Sequence, residues 1–396
     1  MTTATGPLIP LDRVRAFSTR RQGLSGPRFG SVGEAVLGTG GVYSSSPTCY
    51  LSLAARVEGF TLDDLDRELY ETRSVVRLRA QRQMAYVQPV AELPMFMAAA
   101  KPGPAGRASV LRQMGATYAE YEAVAARVEE VMAGREPMSV AEIRAELDEE
   151  NLRLVVALMT RETRLVRTRP RGSWRSDSYG YARWRDWVGA PVGGLDAADA
   201  RVALARRYLS VLGPATAEDL RWWTGWKAGD TKAALAALAG ETTVVRLGYP
   251  EGEVETLILG VDAAALEEAA PVGEVRLLPM WDAYPMGYRD RRRIVAPGRH
   301  GQVIDPVGNA TSMILADGEA AGVWQAVWDG LPGRLTVRAA PFGGIARWDD
   351  ISAEAARLAE AVGATSLDVV REDERGPLTQ GVRNTFMSPV SLGAAV

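Results

Sequence analysis

Three times along this chain the same local grammar repeats, and that repeat limits the fold more than any single residue does. A capped short helix leads to a second helix or turn, and then to residues whose apolar spacing shifts from about 3.6 to two. Thr61-Leu-Asp-Asp-Leu-Asp-Arg-Glu-Leu opens with a threonine that can cap and with acids in the first turn. Val75 to Val87 follows and reads as strand. Ser139 with Glu142 forms a capping-box pattern, Asn151 to Met159 reads as helix, and Leu165 to Pro170 reads as strand. Thr216 caps Ala217 to Trp223, Thr231 to Leu238 follows as a second helix, and Thr242–Leu247 with Glu255–Leu259 form a strand pair. Helix, turn, helix and a two-stranded wing, three times over, predict tandem winged-helix units.

The remainder differs. Val275–Pro279 and Arg334–Phe342 read as strands, Ser312–Trp324 as a hairpin turning at Asp317-Gly318, and Ser352–Val362 as a surface helix. The expected fold is therefore α+β: three tandem winged-helix units followed by a small β-barrel-like C-terminal domain. The boundaries fall at 1–100 (first unit, with a candidate catalytic loop), 101–205 (second, arginine-rich), 206–272 (third) and 273–396 (C-terminal). The tail after Glu372 carries little pattern.

Composition removes most catalytic chemistries. Cys49 is the only cysteine and His300 the only histidine, so disulfide frameworks and all-cysteine metal sites are excluded, and zinc sites and histidine-based triads are mostly excluded. No metal and no cofactor is expected. No apolar run approaches ~18 residues, and residues 1–10 lack a signal-peptide pattern, so no membrane partner and a cytoplasmic location are expected. Chemistry must come from carboxylates, amides, hydroxyls or arginine.

Charge is distributed unevenly although the net value is −3. Lys101, Lys227 and Lys232 are the only lysines, and arginine supplies every other cation. Nine arginines lie between residues 151 and 190, opposed only by Glu162, Asp177 and Asp186. Further clusters are Arg73, Arg77, Arg79 and Arg82, and Arg289, Arg291, Arg292, Arg293 and Arg299. Such patches suit a phosphate backbone, and they equally suit solvated faces paired with acids elsewhere. Trp174, Tyr179, Tyr181, Trp184 and Trp187, interleaved with Arg171, Arg175, Arg183 and Arg185, fit either a nucleic-acid contact or a packed tryptophan cluster. The candidate DNA contacts are Arg77, Arg79, Arg82, Arg171, Trp174, Arg175, Arg185, Arg289, Arg291 and Arg292. His300, in a glycine-rich loop, reads as exposed or as a phosphate contact.

Leu277-Leu-Pro-Met-Trp-Asp-Ala-Tyr-Pro-Met-Gly-Tyr-Arg-Asp-Arg resembles a signature of the AlkZ/YcaQ-type winged-helix DNA glycosylases. Gly213-Pro-Ala-Thr-Ala-Glu-Asp-Leu-Arg-Trp-Trp-Thr-Gly, Arg20-Arg-Gln-Gly-Leu, Leu51-Ser-Leu-Ala-Ala-Arg and Ala316-Asp-Gly-Glu-Ala-Ala-Gly-Val-Trp are similar to further segments of that family, in the same order. The resemblance implies units arranged around a DNA channel. It also implies cleavage of the N-glycosidic bond of a bulky or alkylated base, leaving an abasic site. The family's Gln-x-Gln or Gln-x-Asp falls, without gaps, on Val42 and Ser44, and its Thr-x-His on Gln83 and Ala85.

Breaking such a bond passes through an oxocarbenium-like sugar and needs a positioned water and stabilisation of the cation. Three candidate sets follow. Ser44 stands at the motif's position, with Ser45 and Ser46 beside it. Gln81 and Gln83, two apart on a strand, would share one face and re-create an amide pair, or form a wing strand's polar face. Asp282, in an aromatic setting, reads as an acid or cation stabiliser, or as a structural aspartate capping a turn or pairing with Arg289 or Arg291. Tyr43 and Tyr86 are candidates for stacking on an extruded base. Two functions compete. One is a monofunctional glycosylase for an alkylated purine or a hypermodified phage base, acting in repair, self-resistance or phage defence. The other is a catalytically inactive DNA-binding or regulatory protein. The expected partner is double-stranded DNA with a modified base, met by a monomer.

Overall fold

The computed structural model describes residues 6–100, 104–189, 193–330, 332–343 and 347–378 of the chain. A short strand, β1 (Leu8–Pro10), precedes the helix Leu11–Arg21. Then comes the helix Val32–Thr39, strand β2 (Val42–Tyr43), the helices Thr48–Ala54 and Leu62–Asp66, and the hairpin β3 (Val75–Arg79) and β4 (Ala85–Pro89). β2 pairs antiparallel with β4, so the sheet order is β2-β4-β3, with Tyr43 opposite Tyr86.

This order of elements recurs. The helix Tyr118–Val131 leads to Met138, which pairs with Tyr181, then to the helices Val140–Glu146 and Leu152–Arg161 and the strands β5 (Leu165–Pro170) and β6 (Tyr179–Arg183). The helix Ala197–Leu212 leads to Ala215, then to the helices Ala217–Thr224 and Ala228–Ala237 and the strands β7 (Thr242–Tyr249) and β8 (Gly252–Leu259). Ala215 pairs with Leu257 of β8. Each time the segment between the first two helices returns to the last strand. The caps read from the sequence hold these starts. Ser139 accepts the Glu142 N–H, and the Glu142 carboxylate accepts the Ser139 N–H. Thr216 and Asp219 do the same, and the Asp64 carboxylate accepts the Thr61 N–H at 2.8 Å. Each cap stabilises its helix by about 1 kcal/mol.

Among the described residues the C-terminal unit has five strands: β9 (Val275–Leu278), β10 (Met313–Ala316), β11 (Glu319–Gly330), β12 (Gly333–Pro341) and β13 (Ser366–Arg371). The turn between β10 and β11 is Asp317-Gly318, with φ values of 47° and 82°, the left-handed pair that a two-residue hairpin requires. The helix Trp348–Ala361 carries the chain across to β13, which adds parallel to β12. The order β13-β12-β11-β10-β9 makes this an open sheet among the described residues rather than the barrel-like domain the sequence suggested. The parallel crossover places β13 beside β12 and leaves β9 on the far edge. From residue 379 on, the patternless tail lies outside the described residues.

The units interlock. Leu8–Pro10 pairs parallel with β7, so the N-terminus belongs to the third repeat's sheet. Trp324, Leu335 and Val337 of the C-terminal sheet share a core with Tyr50, Leu51 and Leu53 of the first repeat. The second repeat keeps its own core around Tyr121, Ile143 and Val156. No helix among the described residues is long and apolar enough to cross a membrane.

Candidate active site

The hairpin β3–β4 positions the site. Leu78 pairs with Tyr86 and Arg79 with Ala85, so the chain must reverse between them. It does so at Gln81–Gln83, where Arg82 and Gln83 take φ values of 51° and 59°. This corrects the continuous strand read over Val75–Val87: Gln81 and Gln83 sit in a tight turn, not two apart on one strand face. Gln81 is buried and donates to the Gly40 carbonyl at 2.9 Å, and its own carbonyl accepts from Gln88 at 3.3 Å. Gln88 donates to the same Gly40 carbonyl at 3.1 Å. A Cβ at Gly41 would meet the Gln88 amide nitrogen at 2.1 Å. These amides thus seat the chain entering β2. The Gln83 carbonyl accepts from Arg79 at 2.7 Å.

Alternation along β2 then decides which side chains face outward. Val42 is fully buried. Tyr43, opposite Tyr86, faces a pocket of about 170 Å³ that it lines together with Tyr86, Trp281, Met84, Met286, Asn309 and Arg82. Ser44 turns back into the protein, 1% exposed, with its hydroxyl enclosed and without a hydrogen-bond partner. Ser45 is half-buried and hydrogen-bonds with Tyr43. Burial raises the Tyr43 phenol above its usual range and outweighs the Ser45 hydrogen bond, so the group is neutral at physiological pH.

Tyr43 and Tyr86 meet edge to face at 6.0 Å, and the Trp281 ring lies 4.9 Å from Tyr43. Trp281 has a φ of 60°, and its indole N–H donates to Asn309 at 3.0 Å. The Asn309 amide in turn donates to Asp305 at 2.9 Å. Behind this loop lies Asp282, 1% exposed and gripped by the fully buried Arg56 through two bonds of 2.7 and 2.6 Å. Ser52 and the Tyr284 N–H also donate to it. Every oxygen of Asp282 is occupied, which makes it an anchor for the Trp281 loop. Its cationic partner is Arg56, where the sequence had suggested Arg289 or Arg291.

The arginines separate into three groups. Arg77, expected at a DNA surface, is buried and donates to the Ser44 carbonyl at 2.9 Å and the Tyr70 hydroxyl at 3.0 Å. Arg291, also expected there, is 6% exposed and donates to the carbonyls of Pro285 and Gly308. A second group pairs with acids: Arg171 with Glu142, Arg185 with Asp186, Arg289 with Glu218, and Arg292 with Asp290. Among the described residues Arg175 makes no such pair; it donates to the Gly330 carbonyl and lies over Trp328, while Trp174 packs between Tyr50 and Trp328. The third group borders the pocket. Arg82 stacks on Trp222 at 3.8 Å and Arg79 reaches the turn. His300 is exposed, and partial desolvation of its ring lowers its pKa below the usual value.

Tyr43, Tyr86 and Arg82 therefore converge, whereas Ser44, Gln81 and Asp282 face elsewhere. Sequence reasoning missed Trp281, Met84, Met286 and Asn309, while Ser45 stood in the serine set beside Ser44. The signal for Trp281 was its place beside Asp282 in the quoted signature. A flat aromatic guest can lie against these rings, and a cationic one gains from their π faces. No carboxylate lines the pocket among the described residues.

The family described as DNA glycosylase AlkZ-like matches residues 39–361, and the chain belongs to it; it is an enzyme of the DNA glycosylase class. Among solved structures it is similar to the Streptomyces sahachiroi DNA glycosylase AlkZ, with a TM-score of 0.72 and 22% identity, covering 91% of this chain and 99% of that one. The search of curated proteins gave no match.

Proposed function

We propose that this protein is a monofunctional DNA glycosylase of DNA repair that takes an alkylated, positively charged purine into the Tyr43–Tyr86–Trp281 pocket and hydrolyses its N-glycosidic bond. The observation that carries this reading is the pocket's lining among the described residues: three aromatic rings, two methionines, an amide and Arg82, whose guanidinium is stacked on Trp222, with no carboxylate. A cationic purine leaves as a neutral base, so it needs no general acid, and it is held by ring faces and polarisable sulfur. A neutral hypermodified base leaves poorly and would find no acid there.

The steps follow from the same residues. The nucleotide turns out of the duplex and its base stacks on Tyr43 or Trp281. The neutral Tyr43 hydroxyl, paired with Ser45, orients a water toward the anomeric carbon. The bond from C1′ to the base nitrogen breaks with its electron pair going to the base, and water oxygen bonds to C1′. The water's proton passes to solvent, leaving an abasic site. The three repeats act as winged-helix units that hold the duplex. Their extents are close to 1–100, 101–205 and 206–272, with residues 273–396 buttressing the first. The protein works as a monomer in the cytoplasm.

The test is incubation with duplexes carrying N7-methylguanine, a glycosylated hydroxymethylcytosine or no modification, followed by alkali cleavage at abasic sites. Cleavage only in the N7-methylguanine duplex supports the reading. Release of the neutral base alone would replace the substrate class, and tight binding without any release would leave a recognition protein.

A further inference from the structure

Three arginines gather between the first and second repeats without an acid to neutralise them. Arg79 ends β3, Arg161 ends the helix Leu152–Arg161, and Arg167 lies on β5 opposite Tyr181. All three are half-buried. The Nε atoms of Arg161 and Arg167 are enclosed and have no hydrogen-bond partner. Arg167 lies over the Tyr179 ring at 5.2 Å, and Arg79 donates only to the Gln83 carbonyl. Their neighbours are unlike them. Arg164 is held by Glu122 and Glu129, Arg169 by Asp66, and Arg183 by Asp186. Among the described residues no carboxylate makes an ion pair with Arg79, Arg161 or Arg167.

Partly desolvated like charges repel, and such an arrangement persists where a ligand supplies the missing anion. Burial and then the charges of Arg161 and Arg167 pull the Arg79 guanidinium down to about 10, so it stays cationic at neutral pH. Arg79 stands opposite Ala85, the neighbour of Tyr86, and Tyr86 pairs with Tyr43, so the cluster adjoins the hairpin that carries the base pocket. The guanidinium fork matches a phosphodiester's paired oxygens.

We propose that Arg79, Arg161 and Arg167 form a clamp for one DNA backbone phosphate, next to the nucleotide whose base enters the Tyr43 pocket. The assignment rests on the glycosylase reading only for the identity of that nucleotide. Because the clamp spans two repeats, the phosphate neutralises their mutual repulsion and draws the second repeat onto the first as the base is seated.

The test uses the full chain and a short duplex with one tetrahydrofuran abasic site, bound over a range of salt concentrations. Arg161→Gln and Arg167→Gln are the variants, since neither side chain hydrogen-bonds to another residue among the described residues. Each should weaken binding and lower the log–log salt slope by about one. Neither should lower Tm, and the double variant should raise it by about 1–3 °C as repulsion is removed. Arg164→Gln, which breaks two ion pairs, should lower Tm and leave the slope alone. Inorganic phosphate should raise the wild-type Tm more than that of the double variant. A double variant with an unchanged slope, or with a lowered Tm and an unchanged slope, overturns the clamp. Excision is scored separately. A reduced slope in a protein without excision keeps the clamp and removes the glycosylase reading; retained excision with an unchanged slope does the reverse.

Discussion

Ser44 and Asp282 show how little a residue's type says about its work until its direction is known. Both stand in segments that the family resemblance singles out, and both face the interior. Ser44's enclosed hydroxyl has no partner among the described residues, so Ser44→Ala should change stability by no more than about 0.5 kcal/mol, or increase it, and leave excision intact. Thermal denaturation and a single-turnover rate measure both. Asp282 is the opposite case. Asp282→Ala strands the buried Arg56 charge and should cost about 3–5 kcal/mol, read from denaturant unfolding. A variant that folds with wild-type stability but has lost activity would return Asp282 to the catalytic list. The sequence made these residues visible by motif. What it withheld was the phase of a two-residue strand: one step along β2 exchanges Ser44 for Tyr43 and Ser45.

At the scale of elements, the capping boxes at Ser139 and Thr216 and the Asp317-Gly318 turn were legible because local chemistry alone sets them. The reversal at Gln81–Gln83 was not. It contains no glycine or proline, and it holds left-handed backbone at Arg82 and Gln83 because tertiary contacts stabilise it. Gln81 anchors the turn to Gly40, Arg82 stacks on Trp222, and Gly225 lets the third repeat approach so closely that a Cβ there would lie 3.3 Å from Arg82. Gln81→Ala leaves the Gln88 amide short of an acceptor and should cost about 1–3 kcal/mol. If Gln81 instead acts on substrate, the variant will keep its stability and lose its rate, which the same pair of measurements separates. β13 escaped notice because a parallel edge strand depends on the crossover helix, not on its own pattern.

For the whole molecule, the order of repeats was readable but their interlocking was not, since pairing between distant segments leaves no local mark. β1 completes a sheet some 230 residues away in the chain, burying Ile9 and giving the Pro7 carbonyl to the Arg246 N–H. Truncation before Leu11 should therefore destabilise the third repeat by about 2–4 kcal/mol, visible as faster hydrogen exchange in β7. Unchanged protection of β7 would show that β1 contributes only contact. The same interlocking sets Trp281, from the C-terminal unit, against Tyr43, from the first repeat. The pocket therefore exists only in the assembled chain. The decisive measurement is the single-turnover excision rate of N7-methylguanine from duplex DNA by Tyr43→Ala and Ser44→Ala, each checked for wild-type stability. A base seated against Tyr43 predicts a loss of about 10-fold or more for Tyr43→Ala, the worth of one base–aromatic stack, with Ser44→Ala unchanged. Equal rates for Tyr43→Ala and the wild type, or a loss confined to Ser44→Ala, would contradict it.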